Sequence, residues 1–426
     1  MRILVVGAGG FIGRQILAQS LASGHEVVGV ARSTAALADA FPQATFIAID
    51  LANALRPEDW HDHLFGVDAI VNAAGILRGP EMFAVHAEMP RALYAAAEAA
   101  AIKQIVLISA ISARVDVETD YSVSKLAGEA ILRSADLEWT ILRPSLVYGD
   151  GSYGGTSLMR GLAGLPWFVP LPGSGDFAFT PIHVRDLART VLIACEKGLS
   201  PCQTIEPVGP ESISLKSLLA CYRSWLGFGR PRFLRVPMPI MRLLGRIGDL
   251  FGDGPIASNS LVQMVAGNAG DSVAFARAVG FTPRALEAAL RDRPAQVQDR
   301  WHARLFFFAP VLKTVLIIMW LTSAWLGLFH GADQTDAFVR SVGLPLAWAD
   351  PLRIVSSVLD IAIAVMLLLD RNAARVAVVQ IAVVLGYTAA IGLALPQLWL
   401  DPLGPLLKNF PVMVAIAVHG VIGDKR

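Results

Sequence analysis

The chain has 426 residues, room for two or three domains, and a net charge of +1 that gives no reason to expect nucleic acid or another polyanion as partner. Charged residues are 17% and hydrophobic residues 54%, against about 25% charged in ordinary soluble domains, so one soluble globule is excluded. Cys195, Cys202 and Cys221 fit no metal-ligand or CxxC spacing; they read as small buried hydrophobes, and no metal is expected.

The first residues, MRILVVGAGG, lack the basic lead and cleavage site of a signal peptide, so the first lobe is expected to stay in the cytoplasm. Apolar runs at 2–6, 25–32, 45–50, 67–75, 104–110 and 139–145 read as buried strands. Helical segments at 13–23, 88–101 and 121–135 separate several of them. Strands alternating with helices predict an α/β fold, a Rossmann-type doubly wound parallel sheet covered on both faces. After Pro144 the texture changes: 149–176 is rich in Gly and Pro, 180–196 returns to strand-then-helix, and 205–300 mixes short elements. Residues 150–300 read as a small substrate lobe stitched to the sheet within a domain spanning 1–300.

Residues 301–426 read as an all-α four-helix transmembrane bundle. Its spans are about 309–329, 352–369, 376–395 and 410–423, each near the roughly 20 residues that cross a bilayer. Arg291, Arg293, Arg300, Arg304, Arg371, Arg375, Lys425 and Arg426 fall on one side. The other side has Arg340, Arg353 and Lys408 beside Asp333, Asp336, Asp350 and Asp401. Positive residues collect in the cytoplasm, which places both termini there. Lys313 and Asp360 are costly in lipid; they read as a functional or structural pair, or Lys313 as reaching back to the cytoplasmic interface.

VVGAGGFIGRQIL places Gly7, Gly9, Gly10 and Gly13 at the first strand-to-helix turn, with Phe11, Ile12 and Arg14. Glycine lets the backbone turn tightly and approach a pyrophosphate, and the helix N-terminus supplies free N–H groups. At the end of the second strand, an acidic residue would accept from a ribose hydroxyl and repel a 2′-phosphate. Here the sequence is Ala31-Arg32-Ser33, and Arg32, with Arg14 nearby, can pair with a phosphate. The reading is NADP, with NAD as the alternative. Asp50 and Leu51 end the third strand beside the adenine, and Ala73, Ala74 and Gly75 let the fourth pass close to the ribose.

DYSVSKLAGEA carries Tyr121 and Lys125 four residues apart, on one helical face. A free tyrosine titrates near about 10. A neighbouring ammonium favours the phenolate, so Lys125 is expected to lower Tyr121 and to donate to the cofactor ribose. Ser109, ending the fifth strand, can polarise a carbonyl. Together these form a general acid with its supports.

GAGGFIG, NAAG, Ser109-Ala110, YSVSK, RPSLVYG and IHVRDLA resemble, in order and spacing, the extended and atypical short-chain dehydrogenase/reductase superfamily over about residues 1–300. The resemblance implies Tyr121 as acid/base, Lys125 as its partner and ribose ligand, and Ser109 as the polarising hydroxyl, with Ser112 as alternative. It also implies Pro144 and Ser145 along the nicotinamide, Asn72 at the NAAG asparagine and a structural His183. SLVQMVAGNAG and GFTPRALEAAL look like the atypical members related to the nucleotide-binding accessory subunit of respiratory complex I. The apolar tail resembles DoxX-like membrane domains. These readings lead to a membrane-anchored oxidoreductase at a bacterial inner membrane, acting on a small, lipophilic or quinone-linked substrate. A nucleotide-sugar epimerase or dehydratase, and a non-catalytic NADP-binding assembly or redox-sensing subunit, are the alternatives.

Overall fold

A computed structural model describes residues 1–102, 104–196, 199–250, 258–369 and 372–423. Arg371, Lys425 and Arg426, read above as cytoplasmic charges, lie outside the described residues. The chain forms two compact units, Met1–Ala303 and Arg304–Arg426.

The first unit is built on seven strands: β1 (Arg2–Val6), β2 (Glu26–Ala31), β3 (Thr45–Ala48), β4 (Ala69–Asn72), β5 (Gln104–Ile108), β6 (Glu138–Leu142) and β7 (Gln203–Ile205). Their order is β7-β6-β5-β4-β1-β2-β3, and every pairing is parallel. Six of these strands correspond to the apolar runs of the sequence; β7 is the addition.

Both sheet faces are buried, which is why the strands read as continuous apolar runs rather than alternating ones. Ile3 and Val5 point into one core with Ile16 and Leu17 of helix α1 (Phe11–Ala22). Leu4 and Val6 point into the other, with Leu93 of α2 (Met89–Ala99) and Leu132 of α3 (Asp120–Ser134). The chain reverses its winding between β1 and β4. A crevice therefore opens at the C-terminal ends of these strands, where ligands of such sheets bind.

The chain before α2 is a widened helical turn, Ala84–Glu88, with π-type pairing. Pro90 explains it: proline has no N–H to return to the carbonyl of His86. That carbonyl instead lies against Gly128 of α3, where a Cβ would come within 2.1 Å of it. Gly128 thus lets α3 pack directly on the His86 segment.

Residues beyond β6 make the lobe. Short strands pair as Val147–Tyr148 with Ile182–His183, Val169–Pro172 with Phe233–Val236, and Ala178–Phe179 with Ile213–Ser214. Their side chains share a core with Leu215, Leu218 and Tyr222. Of the cysteines, Cys195 is buried, whereas Cys202 is exposed and Cys221 is intermediate, so only the first is the buried hydrophobe expected.

Among the described residues of the second unit three helices are long and apolar enough to cross a membrane: Phe308–His330, Leu346–Leu369 and Ala373–Ala394. The fourth expected span is shorter. Asn409–Ile422 has 14 residues, about 21 Å of rise against a hydrocarbon core of about 30 Å. Outward positions such as Ile318, Val355 and Val378 are exposed aliphatics, as a lipid-facing surface requires. Asp360 is buried and accepts hydrogen bonds from Ser323 Oγ (2.6 Å) and Tyr387 Oη (3.2 Å). Lys313 precedes Ser323 by ten residues, about 15 Å along the helix, so hydroxyls of neighbouring helices, rather than Lys313, satisfy this carboxylate.

Candidate active site

The phosphate loop follows β1 directly. Gly7 has φ +82°, and a Cβ there would lie 3.0 Å from the backbone of Ala73 and Ala74. A Cβ on Gly13 would come within 2.1 Å of the Gly7 carbonyl oxygen, and one on Gly10 within 3.3 Å. These glycines bring the loop, the start of α1 and the end of β4 together. Gly9 is exposed and has room for a side chain.

Phe11 and Ile12 contribute backbone at the helix start while their side chains pack elsewhere: Phe11 stacks on Tyr153 and Ile12 joins the core. The first turn of α1 has no acidic residue and no side-chain cap, so its N–H groups are not met by a side chain of the cap. This cradle fits a dinucleotide pyrophosphate.

Arg32 is exposed immediately after β2, and Arg14, also exposed, donates from Nε to the Gly9 carbonyl (3.1 Å). Asp50 is exposed and caps its own turn, accepting from Ala52 N–H and Asn53 Nδ2. Leu51 packs on the core. Ala73, Ala74 and Gly75 follow β4, and Asn72 fixes them by accepting from Ala74 N–H while donating to Tyr94 Oη.

Lys125 is buried at the centre of this arrangement. Its Nζ donates to the carbonyls of Ala74 (3.3 Å) and Ile108 (3.1 Å), the ends of β4 and β5. A Cβ on Gly75 would sit 3.2 Å from the same nitrogen, so a bare backbone passes over the ammonium. Burial lowers the Lys125 pKa to about 8, opposed by the charge of Glu129 one turn away. Tyr121, partly buried, is pushed up to about 12 by burial. The expected lowering of Tyr121 by Lys125 is therefore corrected: desolvation of the phenol prevails, and the ammonium is turned toward backbone carbonyls.

His86 was not singled out in the sequence. It is buried; Ile76 N–H donates to its Nε2 (3.1 Å), and Nδ1 lies 2.9 Å from Ser124 Oγ. Because an amide can only donate, the ring proton belongs on Nδ1 and is given to Ser124, which donates in turn to the Tyr121 carbonyl (3.0 Å). Burial, and then the Lys125 charge, hold the imidazole down to about 2, so it is neutral. Its ring meets the Tyr121 ring edge-on at 5.6 Å. The one sequence signal for this residue was Pro90, four positions on.

Ser109 departs from its expected role. Its hydroxyl donates to Glu129 Oε1 (2.5 Å), and Glu129 is fully buried between Arg143 (2.6 and 2.8 Å) and Arg133 (2.9 Å). Ser112, the alternative, is buried, and its carbonyl accepts from Ser122, next to Tyr121. Pro144 and Ser145 follow β6; Ser145 donates to the Thr180 carbonyl and ties the sheet to the lobe. His183 accepts from Arg185 N–H as the cap of helix α4 (Val184–Cys195).

With this geometry in view, residues 7–163 match an NAD(P)H-binding family and residues 317–417 match the DoxX-like family. The chain joins an NAD(P)-binding domain to a DoxX-like domain. Ceramide reductase of Caulobacter vibrioides is 26% identical over 186 residues, 43% of this chain and 58% of that protein. Subunit 9 of the NADH dehydrogenase [ubiquinone] 1 alpha subcomplex from Arabidopsis thaliana is 27% identical over 259 residues, 56% of this chain and 61% of that one. The match thus spans less than two thirds of either relative. An NADPH-dependent quinone oxidoreductase of Escherichia coli, solved with NADPH, superposes with a TM-score of 0.54 at 19% identity, covering 68% of this chain and 99% of its own. That likeness shows the fold. The NAD(P)-binding domain has the fold of oxidoreductases and sugar-nucleotide epimerases, and the relation to the complex I subunit read from its lobe motifs holds.

The Glu129 cluster yields a prediction. Glu129→Ala leaves Arg143 without its buried counter-charge and should cost about 3 kcal/mol, whereas Ser109→Ala, which removes one hydrogen bond, should cost about 1 kcal/mol. Thermal unfolding of the detergent-purified protein checks this, and equal shifts for the two variants would contradict it.

Proposed function

We propose that this protein is a membrane-anchored, NADP-dependent oxidoreductase that reduces the carbonyl of a lipophilic substrate. The observation that carries the reading is the buried Lys125 ammonium at the crevice, one helical turn from a phenol that stays protonated. When bound, the nicotinamide supplies the hydride. Tyr121, with its phenol at about 12, holds its proton at neutral pH and delivers it to the substrate oxygen. Two of the three Lys125 N–H groups are used by carbonyls, and the third serves the ribose of the cofactor.

Because Ser109 is committed to Glu129, Ser112 takes the role of the polarising hydroxyl. His86 and Ser124 hold the Tyr121 backbone. The lipid substrate of one relative, the apolar second unit, and exposed Trp167 and Phe168 in the lobe support a lipophilic substrate. Arg32, with no acidic residue at the end of β2, supports NADP over NAD. The arginines Arg291, Arg293, Arg300 and Arg304 before the first apolar helix support a cytoplasmic NAD(P)-binding domain at a bacterial inner membrane.

Four outcomes follow. Tyr121→Phe should lower kcat for NADPH-driven reduction of long-chain aldehydes or ketones by about 10²-fold or more and leave NADPH binding intact. In the wild type kcat/KM should fall as pH rises through about 8, because Lys125 is charged below that value and neutral above it. Unchanged turnover in the variant, or a flat profile between pH 7 and pH 9, counts against the mechanism.

Arg32→Ala should weaken NADPH by about tenfold or more and leave NADH nearly unchanged, measured by dinucleotide titration; equal losses would remove the NADP preference. Added NADPH should be oxidised by inverted inner-membrane vesicles and not by right-side-out ones; the reverse would overturn the orientation.

A further inference from the structure

The lobe carries a helix whose apolar stripe faces outward. In helix α5 (Met238–Leu250), Ile240, Leu243, Leu244 and Ile247 are 48%, 57%, 41% and 42% exposed. At about 100° per residue these four fall within an arc of about 100°. The opposite side is the anchored one. A Cβ on Gly245 would lie 3.2 Å from Ser258, the first residue of helix α6 (Ser258–Val265), and Asp249 accepts from Ser258 N–H at 3.1 Å. Arg246 borders the stripe, and Arg242 lies beyond it; both are exposed.

Other features share this edge. The strand Phe233–Val236 leads into α5, and its Leu234 is 53% exposed. It pairs with Val169–Pro172, and Val169 N–H donates to the Arg232 carbonyl (2.9 Å). That bond sets Trp167 and Phe168, 78% and 53% exposed, beside Arg232. Arg230 and Arg235 are exposed on the same segment.

We infer that this edge of the lobe docks on an anionic lipid bilayer, with α5 lying in the interface and Trp167 and Phe168 entering the headgroup layer. An outward aliphatic stripe flanked by arginines is the pattern of an interfacial helix, and tryptophan favours the same zone. The charge selects the occupant. Residues 228–249 contain Arg230, Arg232, Arg235, Arg242 and Arg246 against the single acid Asp249, which is held by Ser258. A second copy meeting this face symmetrically would set arginines against arginines, whereas phospholipid phosphates and anionic headgroups complement them. A bilayer is at hand because the same chain carries three membrane-capable helices. The inference does not rest on hydride transfer; it assigns the lobe a lipid surface from which a lipophilic molecule can be taken.

The test uses the full chain in nanodiscs of phosphatidylcholine with phosphatidylglycerol, with Cys202 and Cys221 replaced by serine. An environment-sensitive fluorophore is attached at Leu243→Cys or, as control, at Phe65→Cys, 84% exposed in the loop before β4. Lipids with a headgroup nitroxide should quench the label at 243 and not the label at 65. Replacing the discs by phosphatidylcholine alone, or introducing R242Q with R246Q, should lower the ratio of docked to undocked protein by about tenfold or more. The lipid arm needs no further variant, so misfolding cannot imitate the result. Absence of lipid quenching at 243 in anionic discs, equal quenching at 65, or shielding at 243 without lipid quenching, as a protein partner or second copy would produce, overturns the inference.

Discussion

A buried lysine ammonium fixes one wall of the crevice in the NAD(P)-binding domain. Removing such a group from water is costly, and Lys125 recovers the cost by donating to the carbonyls that end β4 and β5. Those two bonds pin helix α3 to the mouth of the sheet across the ends of β4 and β5, beside the point where its winding reverses. Every neighbouring choice serves the same close approach. Gly75 keeps side chains off the ammonium, and Gly128 lets α3 reach the His86 carbonyl. Glu129, four residues after Lys125, adds a charge that keeps the ammonium protonated against burial. Tyr121 is then placed by its helix and by the Ser124–His86 chain rather than by a direct bond to Lys125.

The same economy of backbone shapes the other half of the crevice. Gly7, Gly10 and Gly13 bring the loop after β1 against β4 and leave the start of α1 open to a pyrophosphate. Phe11 reaches the lobe through Tyr153, and Ser145 reaches it through Thr180. The crevice is therefore framed by bonded contacts on the sheet side and the lobe side. In the second unit these buried polar groups follow a related rule: Asp360 is met by two hydroxyls, and Trp320 Nε1 by Gln380 (2.9 Å), each from a neighbouring helix.

Much of this was legible in the residues. Six strands declared themselves because a strand covered on both faces must be apolar throughout. The phosphate loop was readable because only glycine tolerates the approach at Gly13. β7 was not, since three residues, Gln203–Ile205, carry too short a pattern to distinguish from loop. His86 sits in an alanine-rich stretch, and its importance depends on contacts with Ile76 and Ser124 that spacing does not encode. The direction of the Ser109 hydroxyl was equally hidden, because Glu129 reads as an ordinary helical surface charge until α3 is folded against β5. The phenol was misjudged for a physical reason: four-residue spacing shows that two groups share a face, and says nothing about which of them water leaves. The last apolar span was located to within a residue, 410–423 against Asn409–Ile422, but its apolar content was given more weight than its length, which is too short for a straight crossing.

The central claim is that the nicotinamide ring lies against Tyr121 in a cytoplasmic crevice held by Lys125. A structure of the full-length protein with NADPH bound tests it most directly, read as the distance between nicotinamide C4 and the Tyr121 hydroxyl oxygen. A substrate carbonyl must bridge the two, so the separation should be within about 5 Å, with the pyrophosphate over Gly10 and the start of α1. A ring turned away from Tyr121, or a dinucleotide bound outside the loop after β1, would contradict it.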